Sequence, residues 1–264
     1  MARGLLLPGI VLALSAAPAA ARDLCPDRPG LGTPACTLDP GRIQIEIGVA
    51  DWALDRESGS RTDTITAGDM LMRIGLDSQT EIQIGWTAYG HVRTRDRVAG
   101  TRDRSTGIGD TSLAIRRNLA QPDGSGLAIA LQPYISLPTG GSAIGAGDWG
   151  GGLIAPISYD LPGGLQLGIT PQIAAAVDAD GDGRHILFGS VVGLGFDLSD
   201  AIGATIELAA YRDRDRASRT TQALAGLSIG WQPGDDTQFD AGANIGLNRD
   251  TPDVELYFGI TRRF

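Results

Sequence analysis

Lysine is missing from this 264-residue sequence, and all 22 basic residues are Arg. Histidine occurs twice (His91, His185) and cysteine twice (Cys25, Cys36). Beyond residue 21 no apolar run approaches the roughly 18 residues of a spanning helix, and no segment sustains a 3.6-residue period. Helical membrane spans are thereby excluded from that part of the chain. The formal net charge of −9 argues against a nucleic-acid partner. The scarcity of His and Cys leaves no metal-spaced cluster of those residues. No G-x-S-x-G elbow is present. A lipid hydrolase would need a Ser beside a His, yet in "HILFGS" His185 and Ser190 fall on opposite strand parities and point apart. The lack of Lys carries no functional reading.

What the sequence does contain begins with a leader. Arg3 is the only charge in residues 1–21, an apolar core follows, and Ala19 and Ala21 give the small-x-small spacing of a secretory signal peptide. Residues 22–41 then form a Pro- and Gly-rich lead-in, "RDLCPDRPGLGTPACTLDPG", predicted to lie on the periplasmic side. In an oxidising compartment Cys25 and Cys36 are expected to form a disulfide; closing so short a loop stabilises by about 3 kcal/mol on the chain-entropy model.

Residues 42–264 repeat one pattern. Apolar residues alternate at Ile43-Ile45-Ile47-Val49, at Ile82-Ile84-Trp86, at Leu165-Leu167-Ile169, and so on to Val254-Leu256-Phe258-Ile260 and the last residue, Phe264. Period 2 describes strands with one apolar and one polar face. Twelve such strands of about ten residues can be counted. Five connections are tight turns of Gly, Pro, Asp and Ser (76–80, 121–126, 160–164, 198–201, 232–236). Between them fall longer polar links at 53–65, 91–107, 139–148, 178–184, 212–220 and 248–253. Even strand number, alternating short and long connections, and strands of membrane-crossing length predict an all-β, transmembrane, antiparallel up-and-down barrel of the bacterial outer membrane. Lipid offers no partner to backbone N–H and C=O, so the first strand (42–52) must pair with the last (254–264). A soluble β-sandwich would need no such alternation of connection lengths. Phe264 on the lipid face also resembles the terminal signal read by the outer-membrane insertion machinery, although Arg262 stands where a second aromatic is usual.

With the Phe264 parity facing lipid, the opposite parity faces the lumen. Its predicted lining includes Arg42, Glu46, Asp69, Arg73, Glu81, Asp110, Arg116, Glu207, Tyr211 and Glu255. Arg73 and Glu81 flank one turn symmetrically, as a cross-hairpin pair would. Twelve strands enclose more room than eight, so passage of solute and a plugged interior are both open. Three loop features bear on ligands. In "DADGDG", Asp178, Asp180 and Asp182 occupy places 1, 3 and 5 of a calcium loop, but Gly189 stands where the loop's bidentate Glu belongs, leaving weak cation binding or a tight acidic turn. Arg93, Arg95, Arg97, Arg102 and Arg104 in one link, and Arg212, Arg214 and Arg216 in another, suit lipopolysaccharide phosphates, or pair with neighbouring Asp.

"LDPGRIQIEIGVA" (38–50), "GIGDTSLAIRRNL" (107–119), "ISLPTG" (135–140), "LSDAIGATIEL" (198–208) and the closing 239–264 together resemble an outer-membrane transporter family, the MetA-pathway of phenol degradation family. The resemblance implies a β-barrel with an N-terminal signal and a transport role, and brings neither catalytic residues nor a substrate. The expectation is a channel passing small solutes by passive diffusion, with no cofactor and no chemical step. A closed barrel acting through its Arg-rich loops, and an outer-membrane lipid hydrolase, are the rival readings.

Overall fold

The computed structural model describes residues 22–181 and 183–264, so the segment expected to be a signal peptide lies outside the described residues. Fourteen strand segments follow: β1 (Ile43–Glu57), β2 (Ser60–Asp77), β3 (Thr80–Asp96), β4 (Arg102–Gly107), β5 (Thr111–Ala120), β6 (Leu127–Leu137), β7 (Gly150–Ile154), β8 (Ile157–Leu161), β9 (Leu165–Val177), β10 (Arg184–Ser199), β11 (Ile202–Asp213), β12 (Thr221–Gly234), β13 (Thr237–Gly246) and β14 (Val254–Arg263). They form twelve staves. Segments β4 and β5 are two stretches of one stave: β4 pairs the far end of β3, and β5 pairs its near end and β6. Segments β7 and β8 are likewise halves of a stave interrupted at Ala155–Pro156, both lying between β6 and β9. Proline has no N–H to give the ladder. The pairing is carried past it by Ala130 N–H to Pro156 O (2.9 Å) and Ala155 N–H to Pro171 O (2.9 Å).

Every ladder is antiparallel, and the ring closes between β1 and β14, from Gln44 opposite Arg263 to Leu54 opposite Val254. Phe264 itself joins the ladder, its N–H donating to Ile43 O at 2.8 Å. Closure leaves the backbone without a long free edge, as hydrocarbon requires. The packing is inverted relative to a water-soluble domain. The largest fully buried side chains are Arg73, Arg116, Gln44, Glu46, Glu81 and Asn118, whereas Leu208, Leu227 and Phe258 stand about half exposed on the outside. A β-sandwich would bury the second set and expose the first. The barrel is a bacterial outer-membrane protein.

Two of the long links are not loops. The stretch predicted as a 53–65 link continues β1 and β2 to a turn at Ser58–Gly59, where Gly59 (φ +89°) takes the left-handed conformation. The 91–107 link likewise becomes the β3–β4 hairpin. Both stretches alternate Thr with Arg and Asp, so neither face is apolar; they form strands solvated on both sides, beyond the membrane band. The described residues of the remaining four links are irregular, apart from Arg184, Arg212 and Asp213 at strand ends.

A local fault changes which residues face inward. The register of β1 against β14 shifts between Gly48 and Ala50, and β2 carries Gly68 at φ +67°. Such a bulge reverses the facing of the residues beyond it. Trp52 therefore pairs with the outward Leu256, and Asp51 with the inward Tyr257.

Arg in place of the outward Leu227, at mid-strand on β12, is expected to cost about 2–4 kcal/mol because the charge lands near the bilayer midplane. Denaturant unfolding in lipid vesicles measures this; a cost near zero would mean the outside of this ladder does not face hydrocarbon.

Candidate functional site: a lumen holding its own amino-terminal segment

Residues 22–41 run inside the barrel. The segment enters at the short-turn end, where Arg22 pairs with Asp39 (3.2 Å) and Arg263 donates to Arg22 O (2.6 Å). It climbs to an apex at residues 28–32 and returns to Asp39 beside β2. The disulfide Cys25–Cys36 joins the two legs. An irregular segment cannot satisfy its own backbone, and the lumen wall supplies the partners. Glu46 accepts the N–H groups of Asp27 (3.0 Å) and Arg28 (2.9 Å). Glu207 accepts those of Leu31 (2.7 Å) and Gly32 (2.8 Å). Thr170 Oγ1 accepts from Thr33, and Glu81 from Leu38. The carbonyls are matched too: Arg73 donates to Cys25 O (2.7 Å), Arg116 to Cys36 O (3.3 Å) and Asn118 to Ala35 O (2.8 Å).

Strand parity places the charged members of this wall. Arg73 on β2 and Glu81 on β3 flank the turn and meet at 2.8 Å. Arg73 also reaches Glu46 (3.3 Å) and Asp27 (3.0 Å), and Arg116 on β5 reaches Asp27 (2.5 Å) and Glu81 (3.5 Å). Two guanidinium groups thus serve three carboxylates, and the four wall residues among them are fully buried. Removing one partner of so buried a set leaves an uncompensated charge.

Nearer the apex, the Arg28 guanidinium lies 3.2 Å from Asp240 and 3.9 Å from Asp51, and 5.5 Å from the centre of the Tyr257 ring. Gly259 makes room for it, since a Cβ there would fall 2.4 Å from Arg28 Nε. Several cavities adjoin the segment, and three of them are lined by residues of its apex. One of 580 Å³ adjoins Pro29, Gln166, Thr205 and Gln238. A second, of 300 Å³, runs along the segment past Thr170 and Glu207 and is bordered by those four residues as well. A third, of 320 Å³, lies among Asp51, Asp69, Asn244, Glu255 and Tyr257. Arg28 borders both the second and the third.

The predicted lining residues divide accordingly. Glu46, Arg73, Glu81, Arg116 and Glu207 are taken up by the segment, while Asp69 and Glu255 line the third cavity, Glu255 accepting from Asn244 (2.9 Å). Tyr211 packs with Val191, Ala209, Leu224 and Leu31 of the segment. Arg42 lies at the short-turn rim, where its charge, after the hydrogen bond and charge of Arg263, holds the Asp236 carboxyl below the usual range. Asp110 sits in the break between β4 and β5 and accepts from Gly140 (2.8 Å) and Ala146 (2.7 Å) of the 139–148 link. Sequence reasoning missed Arg28, Asp27, Asp51 and Asp240. Asp240 stood on the inward parity and was legible; Asp51 was hidden by the bulge, and an irregular segment gives no periodic signal.

The loop features fare differently. Asp182 lies outside the described residues. Asp178 meets His185 Nδ1 at 2.8 Å and groups with Asp215, a combination other than the expected run of three Asp. His185 and Ser190 do not meet: the Ser190 hydroxyl donates to Val191 O. Arg93 and Arg95 stand opposite Arg104 and Arg102, on a face shared through Ile65 with the outward Trp52. Arg61 pairs with Asp63 on that face (2.6 Å). Arg97 is at the hairpin turn, its N–H donating to Gly59 O. Arg212 donates to Thr221, Arg214 lies over the Phe188 ring, and Arg216 is exposed in the 214–220 loop. The two Arg groups occupy opposite sides of the ring.

A family model described as "Putative MetA-pathway of phenol degradation" matches residues 26–264. No curated protein matches the chain. Among solved structures, the translocator domain of autotransporter NalP from Neisseria meningitidis is similar at TM-score 0.51, with 16% identity over 90% of each chain. The NanC porin is similar at TM-score 0.51, with 8% identity over 83% of this chain and 98% of its own. The KdgM porin gives 0.50, with 8% identity over 84% and 99%. At such identities the likeness is one of fold.

Arg73→Met is expected to destabilise the barrel by about 3–5 kcal/mol, the cost of leaving buried carboxylates unpaired, and adding Glu81→Gln should recover part of it. Denaturant unfolding of the three proteins checks this; equal stability of wild type and Arg73→Met would refute it.

Proposed function

The chain belongs to the "Putative MetA-pathway of phenol degradation" family, and from that premise we propose that it is an outer-membrane channel passing small solutes by passive diffusion. The observation that carries this reading is the unfilled lumen. Three cavities flank the apex of the amino-terminal segment; the first two share lining residues, and Arg28 borders both the second and the third. Two structures of like fold are named as porins. The charges of Glu46, Glu81 and Glu207 are met by the segment or by Arg, so selectivity falls to the groups around Arg28. There Asp51, Asp69, Asp240 and Glu255 set four carboxylates against one guanidinium, which favours cations and neutral solutes. Diffusion along this route needs no cofactor and no bond change.

The density of hydrogen bonds between segment and wall favours a second reading, a closed barrel that acts at its surface. With the short turns in the periplasm, as such barrels orient, the β3–β4 hairpin stands outside the cell. Its Arg93, Arg95, Arg102 and Arg104 face outward above the lipid belt, where lipopolysaccharide phosphates lie, and like charges set opposite one another are stabilised by an anion between them.

Planar-bilayer recording separates the two. Channel behaviour predicts resolved steps for the wild type, with Arg28→Ala raising conductance and shifting selectivity further toward cations. Silence from both proteins would overturn the channel and favour the closed barrel. Independently, Arg95→Glu with Arg102→Glu should lower the lipopolysaccharide that copurifies with the folded barrel; unchanged copurification would remove the hairpin from that role.

A further inference from the structure

The long-loop mouth carries a constellation that the transport reading does not use. Loop 178–183 is folded back on itself: Gly181 N–H donates to Asp178 O (2.8 Å), Asp178 N–H to Gly183 O (3.2 Å), and Gly181 has φ +77°. Loop 214–220 is turned around Asp215, which accepts the Ala217 N–H at 2.6 Å. Asp215 also accepts the Ala179 N–H at 2.7 Å, so the two loops are joined through one carboxylate.

Between them sits His185, its side chain 7% exposed. Its Nδ1 faces two carboxylates, Asp178 Oδ1 at 2.8 Å and Asp215 Oδ2 at 3.7 Å. One N–H cannot serve both. Its Nε2 lies 2.9 Å from Asp213 Oδ1 but off the line of an N–H bond, and has no hydrogen-bond partner in this arrangement. Even a protonated ring would set one positive charge against three carboxylates, a deficit of two. Three neighbouring Arg residues are engaged elsewhere, Arg184 with Asp148 (2.7 Å) and the Trp149 ring, Arg212 with Thr221 and Arg214 over Phe188, and Arg216 is exposed. With the ring neutral the three carboxylates carry three negative charges, two of which a divalent cation would offset.

The donor atoms of Asp178, His185 and Asp215 all lie within 4.8 Å of one another, close enough for one ion to reach all three at bonds of about 2.0–2.2 Å after small side-chain adjustment. Calcium takes oxygen ligands, whereas an imidazole nitrogen suits zinc and its neighbours. We propose that Asp178, His185 through Nδ1, and Asp215 bind a divalent transition-metal cation of the zinc type at the inner edge of the mouth. With Nδ1 on the metal the ring proton sits on Nε2, and Asp213 is its acceptor. This is the carboxylate–imidazole–metal arrangement that fixes a ligating ring, and water completes the coordination. The ion ties loop 178–183 to loop 214–220, and so staples β9–β10 to β11–β12 at the mouth.

The experiment is calorimetric titration of the EDTA-washed, detergent-solubilised barrel with Zn²⁺ and, separately, Ca²⁺. The expected result is one Zn²⁺ per barrel, bound at least tenfold more tightly than Ca²⁺. Asp215→Asn and His185→Gln should each abolish that binding. Asp213→Asn should keep the stoichiometry and weaken affinity about 10–100-fold, as loss of a ring-orienting partner does. Retained heat-shifted mobility on gels shows that each variant is folded, and Asp178→Asn replaces any variant that is not. Zn²⁺ uptake equal in wild type and folded Asp215→Asn, or tighter binding of Ca²⁺ than of Zn²⁺, would overturn the assignment.

Discussion

Hydrocarbon cannot hydrogen-bond to a peptide group, and the architecture follows from that constraint. It forces the ladder between β1 and β14, which carries pairing to the last residue. It also inverts the usual partition of side chains. The outside is left apolar and half exposed to lipid, and the charged residues are gathered inward. A polar lumen is thus a by-product of membrane residence before it is a device for transport.

The amino-terminal segment exploits that by-product. Residues 22–41 have no ladder of their own, yet their backbone is matched group by group by Glu46, Glu207, Glu81, Arg73, Arg116 and Asn118. The same carboxylates that parity places in the wall become acceptors for an irregular chain, which offsets the cost of burying their charge. The remaining acids cluster around Arg28, so the charge bordering the lumen cavities is set by the segment as much as by the wall.

Most of the barrel was legible in the sequence because a stave needs only period 2 and a turn needs only Gly, Pro, Asp or Ser. The count of twelve survives the breaks at Ile108–Asp110 and Ala155–Pro156, since the chain resumes in the same ladder on either side. Legibility fails where the physical signal does. The Thr/Arg/Asp stretches of β1–β4 have no apolar face, so they read as loops although they are strands. Asp51 looked outward by counting, and a bulge at residues 48–50 turned it in. The cysteine pair announced a closed loop, but nothing in its composition said that the loop would occupy the lumen: that depends on the cross-section of the ring and on which acceptors line it, properties of the assembled barrel. His185 looked solitary because its partners come from two separate stretches of chain, one seven residues away and the other about thirty.

The two cysteines are only 11 positions apart. Oxidation of so local a pair does not wait for distant strands to find each other, so the cross-link is available while the future wall is still unfolded. A piece cross-linked at that point would be a small, stiff ring around which staves can be laid like the sides of a cask around a mandrel. Closing the cask over a former of fixed width would favour one circumference over wider or narrower alternatives, giving the segment a part in setting the bore before it has any part in obstructing it.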